Sequence, residues 1–260
     1  MSAALVQSAT QQNTGVNTTI ALAGVAAGNT LILMQSVLDF TAAGTTLPVP
    51  TDTGGTFVAA LNPAPTLDTG GNRTTNAIFI QVNAAAGTHT ITPGMFATAA
   101  NNQALLTLIE VSGMGTAPIV DGSDFTSSQN VVSSTKFASG TTGLLNSTNG
   151  IAFAMITFTV GTGVANMGLL DPPTNWIRLG VNQASNTSIP GMHCYKIPRS
   201  DARLTASWTY TADATMRSAL GAILTLQPAQ TGGNYSGWML APKIRKKASP
   251  FTSDISDWWR

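Results

Sequence analysis

The chain has 260 residues with twelve lysines and arginines against eleven acids, and only 9% of its residues are charged, where an ordinary soluble domain has about 25%. Hydrophobic residues reach 43%, which excludes a disordered chain; no face is basic enough to hold duplex nucleic acid, and no run approaches the roughly 18 apolar residues of a membrane-spanning helix. One cysteine, Cys194, excludes an internal disulfide and a cysteine-based metal cluster.

Met1–Gln7 has neither the basic start nor the apolar centre of a secretory signal. Residues 3–9 and 17–23 are expected to form two opening strands, joined by the polar turn Gln11-Gln12-Asn13-Thr14-Gly15. Gly28–Met34 follows, apolar on both faces at Leu31–Met34 and therefore expected near the centre of a sheet. Next come Thr56–Leu61, then Asn76–Ile80, where alternation sets Ile78, Ile80 and Val82 against Ala77, Phe79 and Gln81 and predicts one wet face. Gly87–Thr92 and Ala104–Ile109 close the series.

After a short bridge, Gly113–Pro118, the series runs again. Asp124–Asn130 and Val131–Phe137 are the expected counterparts of the opening strands. Gly150–Met155, Asn175–Leu179, Met192–Lys196, Leu204–Thr209 and Ala219–Leu224 then repeat the order and approximate spacing of the first series. The alternation is clearest at Leu204, Ala206, Trp208 and Tyr210, which face one way while Thr205, Ser207 and Thr209 face the other. Turn formers such as Asp52-Thr53-Gly54-Gly55, Asp68-Thr69-Gly70-Gly71, Asp121-Gly122 and Asp171-Pro172-Pro173 separate the runs, and at most Ala212–Ser218 would make a turn of helix.

The predicted fold is thus all-β: an antiparallel, jelly-roll-like β-sandwich over residues 1–228, built by internal duplication with copies at about 1–112 and 119–228. The bridge has no linker character, which favours copies interleaved into a single sandwich over two in tandem. From residue 229 the pattern stops, and 229–260 is expected to be an extended C-terminal arm.

Gly28-Asn29-Thr30-Leu31, Asp52 and Gly54 before Phe57, Ala86-Gly87-Thr88 and Glu110-Val111-Ser112-Gly113 together resemble a β-sandwich module found in bacteriophage virion structural proteins and bacterial surface proteins. The resemblance covers roughly residues 3–228, with Val111 where that module usually has an aromatic residue. It implies a structural or adhesive role and carries over no catalytic residues.

The residues able to do chemistry are few. His89 shares a face with Ile91 and is expected to be a partly buried structural histidine. His193 and Cys194 are neighbours on a strand, so they point to opposite faces and cannot pair as base and nucleophile. Glu110, the only glutamate, lies late in an apolar strand and is expected at its rim, capped by Ser112 or a backbone amide. The Asp-Gly turns at 52–55, 68–71 and 121–124 hold oxygen ligands without the acidic density of a calcium loop. The chain is therefore expected to be non-enzymatic, with no metal, no cofactor, no membrane and no nucleic-acid partner.

Charge and aromatics instead collect in the arm: Lys243, Arg245, Lys246, Lys247 and Arg260 are five of the twelve positive charges, and Trp238, Trp258 and Trp259 are three of the five tryptophans. With Phe251 they form a set of interface anchors, expected to tie the body to other virion proteins in a homo-oligomeric shell or tail. An export-like composition without an export signal is expected of a protein made in a bacterial cytoplasm and carried out in a particle. The alternative is a tail-fibre or adhesin module that binds host glycans through exposed aromatics on the body, Trp176 and Tyr195.

Overall fold

A computed structural model describes residues 2–14, 18–39, 46–67, 71–95, 103–116, 118–129, 136–143, 145, 149–160, 171–182, 190–198, 203–210 and 216–229. The chain divides into Met1–Ala229 and Gln230–Arg260; the second unit, and with it all of the expected arm but Ala229, lies outside the described residues.

The first copy supplies β1 (Ala4–Thr14), β2 (Ile20–Val25), β3 (Thr30–Asp39), β4 (Thr51–Asp52), β5 (Val58–Leu61), β6 (Thr66–Leu67), β7 (Arg73–Gln81), β8 (Gly87–Thr92) and β9 (Gln103–Ser112). The second supplies β10 (Ile119–Gln129), β11 (Lys136–Thr141), β12 (Ile151–Val160), β13 (Ile177–Asn182), β14 (Gly191–Lys196), β15 (Thr205–Thr209) and β16 (Met216–Gln227). The first of the second copy's opening strands thus contains 124–129 of the expected 124–130 but begins five residues earlier, at Ile119. The second runs from Lys136 to Thr141, sharing Lys136 and Phe137 with the expected 131–137, while residues 130–135 lie outside the described set. Met216–Ser218, expected as helix, begins a strand, while residues 212–215 lie outside the described set.

Each copy is a sandwich of a large and a small antiparallel sheet. In the first, β1-β9-β3-β7-β5, with β6 beside β7, faces β2-β8-β4; in the second, β10-β16-β12-β14-β13 faces β11-β15. An isolated bridge between Asp171 and Thr209 stands where β4 pairs with β8 in the first copy. The order 1-9-3-7 over 2-8-4 is that of a jelly roll, and the second copy repeats it as 10-16-12-14 over 11-15. A bulge falls at the same place in both, after Leu5 in β1 and after Val120 in β10.

The copies are not interleaved. Among the described residues every ladder joins strands of the same copy. The bridge is short because it is a sharp turn: Gly113 and Gly115 have φ of 76° and 70°, a left-handed conformation that side chains resist. A Cβ at Gly113 would also sit 2.2 Å from the Ser2 carbonyl oxygen. The chain therefore leaves one sheet and opens another instead of adding a strand to the first.

The four sheets stack as layers with three cores. Leu31, Leu33, Phe57, Phe79, Ile91 and Leu108 fill the first sandwich; Ile156, Phe158, Trp176, Ala206, Trp208 and Ile223 fill the second. The third core lies between the two large sheets and holds Ile32, Met34, Ile78, Ile109, Phe153, Met155 and Leu224. This explains why β3, central in its sheet as expected, is apolar on both faces. It also corrects the reading of β7, which has no wet face: Ala77 and Phe79, on the side expected in water, are buried in the first sandwich, and Ile78 and Ile80 are buried against the other copy. β15, in an outer layer, keeps its alternation, with Ala206 and Trp208 buried and Thr205, Ser207 and Thr209 exposed.

Pairing registers match the copies residue by residue. Ile32 stands between Ile80 and Ile109, and Phe153 between Tyr195 and Leu224, so Ser36 corresponds to Thr157 four residues on. These two equivalents touch, with Thr157 Oγ1 lying 2.8 Å from Ser36 Oγ. Contacts on either side are reciprocal. Asn76 on β7 meets β16 and β12 through Leu220 and Thr157, while His193 on β14 meets β9 and β3 through Thr107 and Ser36. The copies therefore pack like an isologous dimer joined into one chain.

Truncating the shared core with Phe153→Ala is expected to cost about 3–5 kcal/mol, because the fully buried ring leaves a cavity between stiff sheets. Urea titration followed by near-UV circular dichroism should give one cooperative transition shifted to lower denaturant; a second sandwich melting at the wild-type midpoint would contradict a shared core.

Candidate functional site

Two buried polar constellations hold the titratable side chains to which the sequence draws attention. The first lies at one end of the first sandwich. Leu31 is flanked in register by Gln81 on β7 and Glu110 on β9, so both polar side chains point toward the small sheet. Glu110 is fully buried and takes three donors: the Ala26 backbone amide at 2.8 Å, Asn29 Nδ2 at 2.6 Å and Gln7 Nε2 at 2.7 Å. The expected cap is thus half right: an amide does bind the carboxylate, but Ser112 turns to the Ala4 carbonyl, and the site is interior. Burial alone would raise the Glu110 pKa, but its three donors and the nearby His89 outweigh burial and hold it below the ordinary value.

Opposite it, His89 faces inward as its alternation suggested but is 1% exposed, fully rather than partly buried. Nδ1 lies 2.5 Å from Asp52 Oδ2 and Nε2 lies 2.9 Å from the Ala85 carbonyl oxygen. Both partners only accept, so the ring satisfies them together only with a proton on each nitrogen. Burial opposes that charge; the bond to Ala85 and the carboxylate of Asp52 overcome it and raise the pKa. The Gly-Gly pair of the 52–55 turn has a steric cause here, since a Cβ at Gly54 would lie 2.5 Å from His89 Cε1 and one at Gly55 would lie 2.1 Å from Gln81 Nε2. An imidazolium with both N–H groups engaged has no lone pair for general-base or metal-ligand work.

The second constellation is the polar part of the seam between the large sheets. His193 Nε2 lies 2.9 Å from Ser36 Oγ and Nδ1 lies 2.9 Å from Thr107 Oγ1. Ser36 and Thr157 both donate to Asn76 Oδ1 at 2.7 Å, and Asn76 Nδ2 donates to the Leu220 carbonyl oxygen. Thr107 continues to Thr10, which bonds the Leu179 carbonyl oxygen. Here hydroxyls can donate or accept, so a neutral ring fits, and full burial drives the His193 pKa down to about 3. A serine and a histidine do meet, but between two sheets, where Ser36, Asn76, Thr107, Thr157 and His193 are all fully buried.

Cys194 points away from His193 into the second sandwich, as strand geometry required; burial raises its pKa and its thiol bonds the Ala154 carbonyl oxygen. Among the described residues no group of three or more His, Cys, Asp or Glu side chains is placed to hold a metal. Asp52 is engaged by His89, and Asp124 accepts from the amides of Phe125 and Thr141; residues 68–70 lie outside the described set.

The aromatic pair expected to bind glycan is not displayed. Trp176 is only 7% exposed, because it is the second copy's equivalent of Phe57 and plugs the same place in its sandwich. Tyr195 is half-buried against the shared core. The expected partner-binding residues Trp238, Lys243, Arg245, Lys246, Lys247, Phe251, Trp258, Trp259 and Arg260 lie outside the described residues. The sequence gives no sign of the seam, whose Ser36, Asn76, Thr107 and Thr157 read as ordinary strand residues. Compared with known protein families, characterised proteins and solved structures, the chain matches none.

The histidines predict opposite pH signatures. His89, raised, stabilises the fold fully below the ordinary histidine value, and this is lost as pH rises through its raised value. His193, depressed, contributes above 6.5, and this is lost as pH falls toward about 3. Urea midpoints should therefore drop less between pH 7 and pH 4 in His193→Gln than in the wild type; an equal drop would show that the ring does not resist protonation. Glu110→Ala should cost about 2–4 kcal/mol at neutral pH by orphaning three donors, read from the same titrations.

Proposed function

We propose that the chain is a non-enzymatic structural subunit of a bacteriophage virion, decorating or cementing the head or associated with the tail, and held to neighbouring subunits by residues 229–260. The observation that carries this reading is the fusion of two jelly-roll sandwiches through a third core, which makes a stiff block of stacked sheets. Histidine, cysteine and glutamate side chains serve that block as internal hydrogen-bond partners. The contrast between body and tail supports it too. The body is nearly neutral, and what could anchor it to another surface lies in the arm: three tryptophans, Phe251 and a basic cluster to meet an acidic neighbour. The resemblance to virion modules points the same way.

Antibody to the full chain should label particles purified from lysates of the encoding strain. In particles assembled with Trp238→Ala, Trp258→Ala and Trp259→Ala, occupancy should fall steeply, since an interface tryptophan that costs about 2 kcal/mol when truncated weakens affinity about thirtyfold. Particles free of the chain, or undiminished occupancy by the variant, would refute the reading and the arm's role respectively.

A further inference from the structure

An open sandwich leaves strand edges, and unpaired amides and carbonyls along an edge are a template for another strand. Among the described residues each edge but one is blunted by an identifiable feature. β4 and β6 have two residues each, β5 has four with a break after Ala59, and β15 has five. β2 breaks its register after Leu22, and its Ala23 carbonyl is taken by Gln7 Nε2. β13 breaks after Arg178, and its Leu179 and Val181 carbonyls are taken by Thr10 and Gln12. β11 carries Lys136, breaks after Ala138, and has its Thr141 amide bound to Asp124. β10 carries Asp121 and Asp124, the latter bound to the adjacent Phe125 amide.

β1 is the exception. From Gln7 to Thr14 it holds an unbroken register with β9, and Gln-Ser-Ala-Thr-Gln-Gln-Asn-Thr contains no charge, proline or glycine. Ser8, Thr10 and Gln12 are exposed along it, and β9 is its one strand partner among the described residues.

We propose that β1 is an assembly edge that pairs antiparallel with β1 of a second copy, making one continuous sheet across a two-fold dimer. The occupant follows from the strand's chemistry. An antiparallel strand is its own complement under a two-fold axis, and an uncharged strand meets no like charge in its copy, whereas β10 would bring its aspartates together. The interface is mainly backbone hydrogen bonds, so it belongs to the body and stands apart from the arm and from the particle reading.

Sedimentation of the full chain over a concentration series should show a monomer–dimer equilibrium. Successive amides on a strand point alternately inward and outward, so of Ser8→Pro and Ala9→Pro one spares the ladder to β9 and removes an outward donor. That variant should keep the wild-type unfolding midpoint and lose the dimer. Amide hydrogen exchange on the wild type gives an independent reading: outward amides between Gln7 and Thr14 should slow as concentration rises. A wild type monomeric throughout, a folded proline variant that still dimerises, exchange along β1 indifferent to concentration, or a dimer abolished by the arm tryptophan substitutions would each overturn the proposal.

Discussion

Each large sheet must bury both of its faces, and the rest of the molecule follows from how it does so. One face takes a small sheet of its own copy and the other takes the large sheet of its twin. Once both faces are covered, polar side chains on the central strands have no water to turn to, and each one left unpaired would cost about 1–3 kcal/mol. Ser36, Asn76, Thr107, Thr157 and His193 answer by bonding one another across the seam. Apolar contact tolerates sliding, and these short directional bonds fix the register in which the two sheets meet.

Packing a duplicated unit on itself also accounts for where the copies differ. Asn76 corresponds to Gly191, which its own copy keeps small, because a Cβ there would lie 2.6 Å from the Ile156 carbonyl oxygen on the neighbouring β12. Ile78 corresponds to His193, each opposite an equivalent methionine, Met34 and Met155. Away from the axis the freedom is greater. The Gln7–Glu110 pair of the first copy corresponds to Gly122–Thr225 in the second, where the threonine simply bonds the Gly122 carbonyl oxygen. One histidine lies between acceptors, which favour its protonated form, while the other is fully buried, which favours its neutral form, so one fold shifts its two histidines in opposite directions.

Much of this was legible in the residues, and the boundary of legibility has a physical cause. Strand order, the duplication, the position of β3 and the inward faces of His89 and Trp208 follow from period-two patterns, which register burial. What a period cannot say is which object does the burying. Alternation in β7 therefore suggests a face in water, and Trp176 a displayed ring, although its alignment with Phe57 points to the buried place it takes. Spacing alone also set Ile80 against Lys196, whereas the ladders match it to Tyr195, and that one-residue slip hides the equivalence of Ile78 and His193. The Asp52–His89 pair was out of reach because its members lie 37 residues apart; only the Gly54-Gly55 pair, kept small to clear the ring and Gln81, hints at a close approach.

The same economy of faces bears on how such a block would join others. Duplication has consumed the broad inner surface of each large sheet, so further association through the body is confined to strand edges and to the outer small sheets, whose exposed side is largely threonine and serine on β15. An edge joins by backbone hydrogen bonds, which depend little on ionic strength, while a basic aromatic tail joins by charge and ring burial, which salt weakens in its electrostatic part. A subunit with both modes would have a rigid connection that fixes angle and a tethered one that tolerates distance. In the reading proposed above these duties fall to different parts of the chain: β1 sets the geometry between copies, and residues 229–260 reach whatever surface the copies cover.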